Sequence, residues 1–271
     1  MGVPVDDEGI VTTHLEDAIA RHRPKLIYVM PNFQNPTSET MSLRRRQALV
    51  EMSRLSRVPI LEDDFGGDLR FEGASLPALR SLDRGGCVIY LSTFAKKLLP
   101  GLRIGWIASP PEVTERLTGL KKIADYSTSV LLQAALEEFC EDGELDRHVE
   151  KVIEEYRDRR DTMVSAMSRF FPEGVRWSRP CGGLAIWVTL PAAARADEVA
   201  AAAEARGVLV SLGDLFYVDG GTGSNLRLTF SQASREEIVR GVRILGEIIH
   251  KKMGESVKSE SRTAAESLPL I

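Results

Sequence analysis

The stretch VIYLSTFAKKLLPGLRIGW, residues 88–106, decides the fold. An apolar run of strand length, VIYLST, ends in hydroxyls and is followed by Lys96 and Lys97, a Pro100-Gly101 turn and a second apolar run, LRIGWIAS at 102–109. Short apolar runs bounded by turn residues read as buried strands. The same design recurs upstream, with KLIYVM at 25–30 and VPILED at 58–63 as further strands. Between those two, Met41 to Ser56 repeats Leu43, Leu49, Met52 and Leu55 at helical spacing behind Ser42 as N-cap. Strands alternating with helices predict βα units and a mostly parallel sheet, an α/β fold whose polar residues gather at strand C-terminal ends, where such sheets bind ligands.

Downstream, the pattern predicts helices at 112–124 and 128–141 and a long charged helix at 144–170, whose narrow apolar stripe suits a connector. Short strands follow at 184–190, 207–210 and 225–230, with helices near 197–206 and 234–252, the pattern of a smaller α+β domain. The expected division is a partial large domain over 1–143, a connecting helix over 144–170, a small C-terminal domain over 171–252 and a frayed tail over 253–271.

The 271 residues are 43% hydrophobic and 27% charged, with 35 Lys and Arg against 39 Asp and Glu, a net charge of -4. This balance excludes a disordered chain and gives no global positive field for a phosphate backbone. Nucleic-acid binding by these residues alone is not expected, nor is a membrane span, since no run reaches eighteen apolar residues. Cys87, Cys140 and Cys181 lie too far apart for a CxxC metal pair and do not form an even disulfide set. No metal site is read, and the expected setting is the cytoplasm.

Four clusters carry possible chemistry, each with a bland counterpart. Gln34-Asn35-Pro36-Thr37 has the composition of a turn, Glu62-Asp63-Asp64 of a solvated strand end, and Lys96-Lys97 of a basic loop. Arg227, inside the apolar strand NLRLTF, must reach solvent or find an anion.

Their order along the chain resembles the fold-type I, pyridoxal-phosphate-dependent aminotransferases of class I and II. PNFQNPTSETMSLRRR, ILEDDFGGDLRFEG and VIYLSTFAKKLLPGLRIGW are most similar to the 2-aminoadipate and kynurenine branch, and to the aminotransferase-like domain of MocR-type regulators of the GntR family. The resemblance covers residues 3–250 and implies a cofactor, pyridoxal 5'-phosphate (PLP), with an amino acid and a 2-oxo acid as substrates and a homodimer as the assembly. It makes Lys96 the Schiff-base lysine, with Lys97 and Arg103 as neighbouring charges that disfavour its protonated form. Asp63 is implied as partner of the pyridine nitrogen, Asn35 as donor to the phenolic oxygen, Thr93 and Arg103 as phosphate ligands, and Arg227 as the grip on the substrate α-carboxylate.

The match has departures: Phe65 stands in place of the tyrosine that supplies a phenol to PLP, Ala95 in place of a serine, and Ser38 in place of a glycine. Residue 3 corresponds to the middle of the family's large domain. The family's glycine-rich phosphate cup and ring-stacking aromatic are therefore expected upstream of residue 1, and the chain is expected to be N-terminally truncated. An aminotransferase is the leading reading; an effector-sensing domain of a MocR-type regulator and an inactive truncated paralogue stay open beside it.

Overall fold

The computed structural model describes the backbone of residues 1–221 and 223–266, and side chains up to Glu255. Its elements, in chain order, are β1 (Val5–Asp6), β2 (Gly9–Ile10), α1 (Thr12–His22), β3 (Ile27–Val29), α2 (Leu43–Ser56), β4 (Ile60–Asp63), α3 (Leu79–Leu82), β5 (Val88–Thr93), β6 (Gly105–Ala108), α4 (Pro111–Ala124), α5 (Val130–Glu141), α6 (Glu144–Phe170), β7 (Arg176–Trp177), β8 (Ala185–Thr189), α7 (Ala196–Glu204), β9 (Ser211–Leu212), β10 (Asn225–Thr229) and α8 (Arg235–Glu266). The chain divides into two compact units.

The first unit comprises Val3–Glu155 with Cys181–Gly183. Its sheet has the order β3-β4-β5-β6; the first two pairings are parallel and β6 returns antiparallel to β5. Ile27, Val29, Ile60 and Val88 are buried on the sheet and pack with Leu15, Met41, Leu49, Val58 and Leu79. Leu49 reaches this core because α2 starts where the Ser42 side chain accepts the Arg45 N–H at 3.2 Å and stops where Arg57 turns left-handed at φ 58°. The predicted strand 102–109 is shorter than expected, since Pro100–Leu102 close a 3-10 turn and pairing starts only at Gly105. A Cβ at Gly105 would lie 2.8 Å from the Ser92 carbonyl, so glycine lets β6 approach β5.

The second unit comprises Met1–Gly2, Tyr156–Pro180 and Leu184–Ile271, and the division falls within α6. Its antiparallel sheet has the order β7-β8-β10-β9. Ile186, Val188, Leu226, Leu228 and Phe230 are buried together with Val199 and Ala203 of α7, Val242, Leu245 and Ile249 of α8, and Met163 and Met167 of α6.

Two expectations are corrected in this unit. Residues 207–210 form no strand: the Val208 N–H caps α7 by donating to Ala203 at 2.9 Å, Leu209 is left exposed, and the strand begins at Ser211. The expected frayed tail is helix up to Glu266, a stretch beyond Gly254 that no proline or glycine interrupts; residues 267–271 of that tail lie outside the described residues.

Candidate active site

Three adjacent parallel strands present the candidate residues of the first unit at their C-terminal ends. Asn35 follows β3, Asp63 closes β4, and Thr93 closes β5 just before Lys96. Asp63 is opposite Leu91 in the β4–β5 register, which sets the Glu62-Asp63-Asp64 carboxylates beside the strand that leads into the lysine loop.

The carboxylates have separate environments. Glu62 points into the core and accepts the Leu79 and Arg80 backbone N–H groups at 2.7 and 2.8 Å, so it caps α3; burial raises its pKa against the pull of those donors. Asp64 accepts Asn32 Nδ2 at 2.9 Å and the Tyr90 hydroxyl at 3.0 Å. Asp63 accepts the Tyr28 hydroxyl on Oδ2 at 2.7 Å, whereas its Oδ1 is buried and has no hydrogen-bond partner. Burial, followed by the Asp63 charge, raises the Tyr28 pKa, so the phenol stays a donor. A buried carboxylate oxygen without a hydrogen calls for a donor.

The loop after β3 is built by backbone contacts. The Gln34 N–H donates to Glu39 at 2.9 Å, the Thr37 hydroxyl meets Gln34 Oε1 at 3.2 Å, and Asn35–Pro36 is cis. Arg46, fully buried, donates to the carbonyls of Met41, Pro31 and Pro77 at 2.9 Å each and to Asn32 Oδ1 at 2.6 Å. One guanidinium thus braces the loop from below and fixes the asparagine that holds Asp64. Phe33 packs under Arg70 at 4.8 Å, and a Cβ at Gly182 would lie 2.2 Å from its ring. The glycine is needed because Arg70 and Gly182 form a β-bridge there.

In the lysine loop, Lys96 is exposed and Lys97 is buried. Lys97, read from sequence as a bare charge beside Lys96, is ion-paired with Asp68. The Thr93 hydroxyl donates to the Ile104 carbonyl at 2.9 Å and accepts the Ala95 N–H at 3.1 Å, so its single proton closes the base of the loop. Arg103 is exposed in the left-handed region at φ 53°.

Asp63, Lys96 and Arg103 fit the handles of a pyridoxal phosphate: an acceptor for a ring N–H, an accessible amine for an aldehyde and a guanidinium fork for a phosphate. The orphaned Asp63 Oδ1 is the observation that makes the fit more than compositional.

In the second unit, Arg227 lies on β10 opposite Trp187 of β8. Its Nη2 meets Ser211 Oγ at 3.2 Å, and its guanidinium stacks 4.6 Å from the Phe216 ring centre. Burial lowers its pKa, the mark of a cation removed from water.

Tyr28, Asn32, Arg46, Asp68 and the Gly182-Gly183 pair were not singled out from sequence. Only the glycine pair in CGGLAIW carried a local signal, that of close backbone approach; the others depend on contacts between residues distant in sequence.

Comparison with known proteins gives the family of the chain. The aminotransferase class I and II family matches residues 3–245. The chain is 36% identical over 256 residues to aromatic-amino-acid aminotransferase 1 of Thermococcus litoralis, spanning 93% of the chain and 61% of that protein. It is 34% identical to an uncharacterized HTH-type transcriptional regulator of Bacillus subtilis, spanning 93% of the chain and 52% of the regulator. The crystal structure of Pyrococcus horikoshii kynurenine aminotransferase in complex with PMP superposes with a TM-score of 0.89 at 34% identity, over 93% of this chain and 64% of that one. The chain therefore spans between half and two thirds of each of these three proteins. By sequence and by fold, it belongs to the class I and II aminotransferases.

Proposed function

We propose that this chain carries the lysine and the ring-nitrogen acid of a PLP-dependent aminotransferase that moves an amino group between an amino acid and a 2-oxo acid. The observation that carries the reading is the pairing of an exposed Lys96 after β5 with an unsatisfied, buried Asp63 oxygen at the end of neighbouring β4. When bound, pyridoxal phosphate supplies a carbonyl for the amino group and a ring that withdraws electrons.

Lys96 Nζ would hold the cofactor at its carbonyl carbon, and the same nitrogen would take the proton from the substrate Cα and return it on the other side of the transfer. Asp63, oriented by Tyr28, keeps a proton on the ring nitrogen. Asn35 donates to the ring phenolic oxygen. Arg103 supplies a fork to the phosphate; Thr93 joins it by redirecting the proton it now gives to Ile104. Arg227, stacked on Phe216, takes the substrate α-carboxylate. A homodimer belongs to this reading as what the family resemblance implies, and the cytoplasm as the setting that the unpaired cysteines suit.

A second reading, the effector-sensing domain of a MocR-type regulator, is favoured by the similarity to the Bacillus subtilis regulator. The test is the visible absorption of the purified protein with PLP, for the parent and for Lys96→Ala. A band present in the parent and lost in the variant supports the assignment of Lys96; equal bands in both overturn it. Amino transfer across a panel of amino acids then separates enzyme from sensor.

A further inference from the structure

Lys96 and Lys97 offer two adjacent primary amines on one loop, and chemistry alone does not separate them. Their surroundings do. The Lys97 side chain is 8% exposed, and its Nζ donates to Asp68 Oδ2. The same Nζ lies 5.0 Å from the Trp106 ring centre and 5.5 Å from that of Phe94, two rings 4.7 Å apart. Both distances are within cation–π range.

The Asp68 side chain is 57% exposed, but the backbone that carries it and the rings beside it are held by the fold. Trp106 is on β6, opposite Ser92 of β5. Asp68 is in a tight turn where the Leu69 N–H donates to Gly66 at 2.9 Å; Leu69 is fully buried, and the next residue, Arg70, bridges to Gly182. The lysines themselves are in a single turn closed by the Leu98 N–H on the Phe94 carbonyl at 2.9 Å. Consecutive residues of such a turn point in directions about 100° apart. Seating Lys97 inward therefore turns Lys96 outward.

We propose that Asp68, with Phe94 and Trp106, is a selector: it withholds Lys97 from electrophiles and thereby makes Lys96 the reactive amine. Lys97 is then a positioning residue. The inference rests on the reading of Lys96 as the covalent lysine, but it can be tested without cofactor. An amine attacks only through an accessible nitrogen, and the Lys97 Nζ, held against a carboxylate beneath two rings, is not accessible.

The experiment is competitive labelling with a trace of acetic anhydride. Nζ forms a bond to the acyl carbon, acetate leaves, and the ammonium proton goes to solvent; fragmentation of the peptide covering 88–106 then reads each lysine. In the parent protein, Lys96 should be labelled at least ~10-fold more than Lys97, since occupancy of the buried pair sets the ratio. Asp68→Asn should raise Lys97 labelling several-fold, whereas Asp68→Glu should restore the parent ratio. Equal labelling in the parent, or an unchanged ratio in Asp68→Asn with an unchanged circular dichroism spectrum, would overturn the proposal. If Asp68→Asn unfolds, the parent ratio and Lys97→Arg decide: arginine keeps the pair, so Lys96 labelling should stay at the parent level, and a several-fold change would overturn the proposal. Borohydride reduction after adding PLP then separates the two ideas. Cofactor fixed elsewhere than on Lys96, with the labelling ratios as expected, sinks the functional reading and leaves the selector standing.

Discussion

Arg46 gives the sharpest test of how the first unit is held together. Replacing it with Met removes a fully buried guanidinium that serves three carbonyls and Asn32 while keeping an unbranched apolar side chain. The Pro31 carbonyl retains the Met41 N–H at 2.8 Å, but the Met41 and Pro77 carbonyls lose a charged donor, and Glu62 and Asp64 lose a nearby positive charge. Two stranded carbonyls cost about 1–3 kcal/mol each, and the gain from no longer burying the cation, whose pKa burial lowers, offsets part of this. The expected net loss is about 3 kcal/mol, with Arg46→Lys losing roughly half because it keeps the charge without the fork. Trp106 is the only tryptophan of the first unit, so urea unfolding followed by fluorescence, with Trp177 and Trp187 changed to Phe, reports this unit alone. A loss under about 1 kcal/mol would show that the carbonyls find other partners and that Arg46 does not brace the loop.

Two further predictions address the interior. Burial raises the Glu62 pKa above its ordinary 4.5, so the folded chain holds that proton more tightly than the unfolded one, and stability falls as pH climbs from 4.5 through the raised value. Glu62→Gln removes this contribution: the stability of the parent relative to the variant should decline over that window and then level off, and a rising difference would contradict the assignment. In the second unit, Gly246→Ala would place a Cβ 2.3 Å from the Phe170 carbonyl oxygen, so overpacking of about 1–3 kcal/mol should exceed the helix-propensity gain of about 1 kcal/mol, and a higher melting temperature would refute the close approach of α8 to the end of α6.

The sequence reading succeeded where local pattern and tertiary structure agree. The strands at KLIYVM and VPILED were legible because burial follows their short apolar runs, and α2 was legible from its Ser42 cap and Leu49, but its predicted stripe was not borne out: Leu43 and Leu55 are exposed, and Arg45, Arg46 and Ser53 are buried instead. It failed at GVLV, where the β-propensity of two valines yielded to the capping of α7. The candidate site was legible as residue types at strand ends, since Asp63 and the lysine pair stand out in an apolar context. What decides their roles was not legible: Tyr28 is 35 residues from Asp63, and Asp68 is 29 from Lys97. Such pairings exist only once the sheet has set the register.

The staple at the base of the lysine loop has an entropic consequence. The Phe94 N–H, donating to the Ile104 carbonyl at 3.1 Å, closes a ring of backbone around Lys96, and it holds that ring whether or not the Thr93 hydroxyl keeps its own bond to the same carbonyl. Closing about eleven residues of free chain costs roughly 2 kcal/mol. Here that ordering accompanies formation of the β5–β6 pair, before any small molecule arrives. Little backbone freedom remains to be lost on encounter, so affinity at this loop depends on contacts made rather than on chain immobilised.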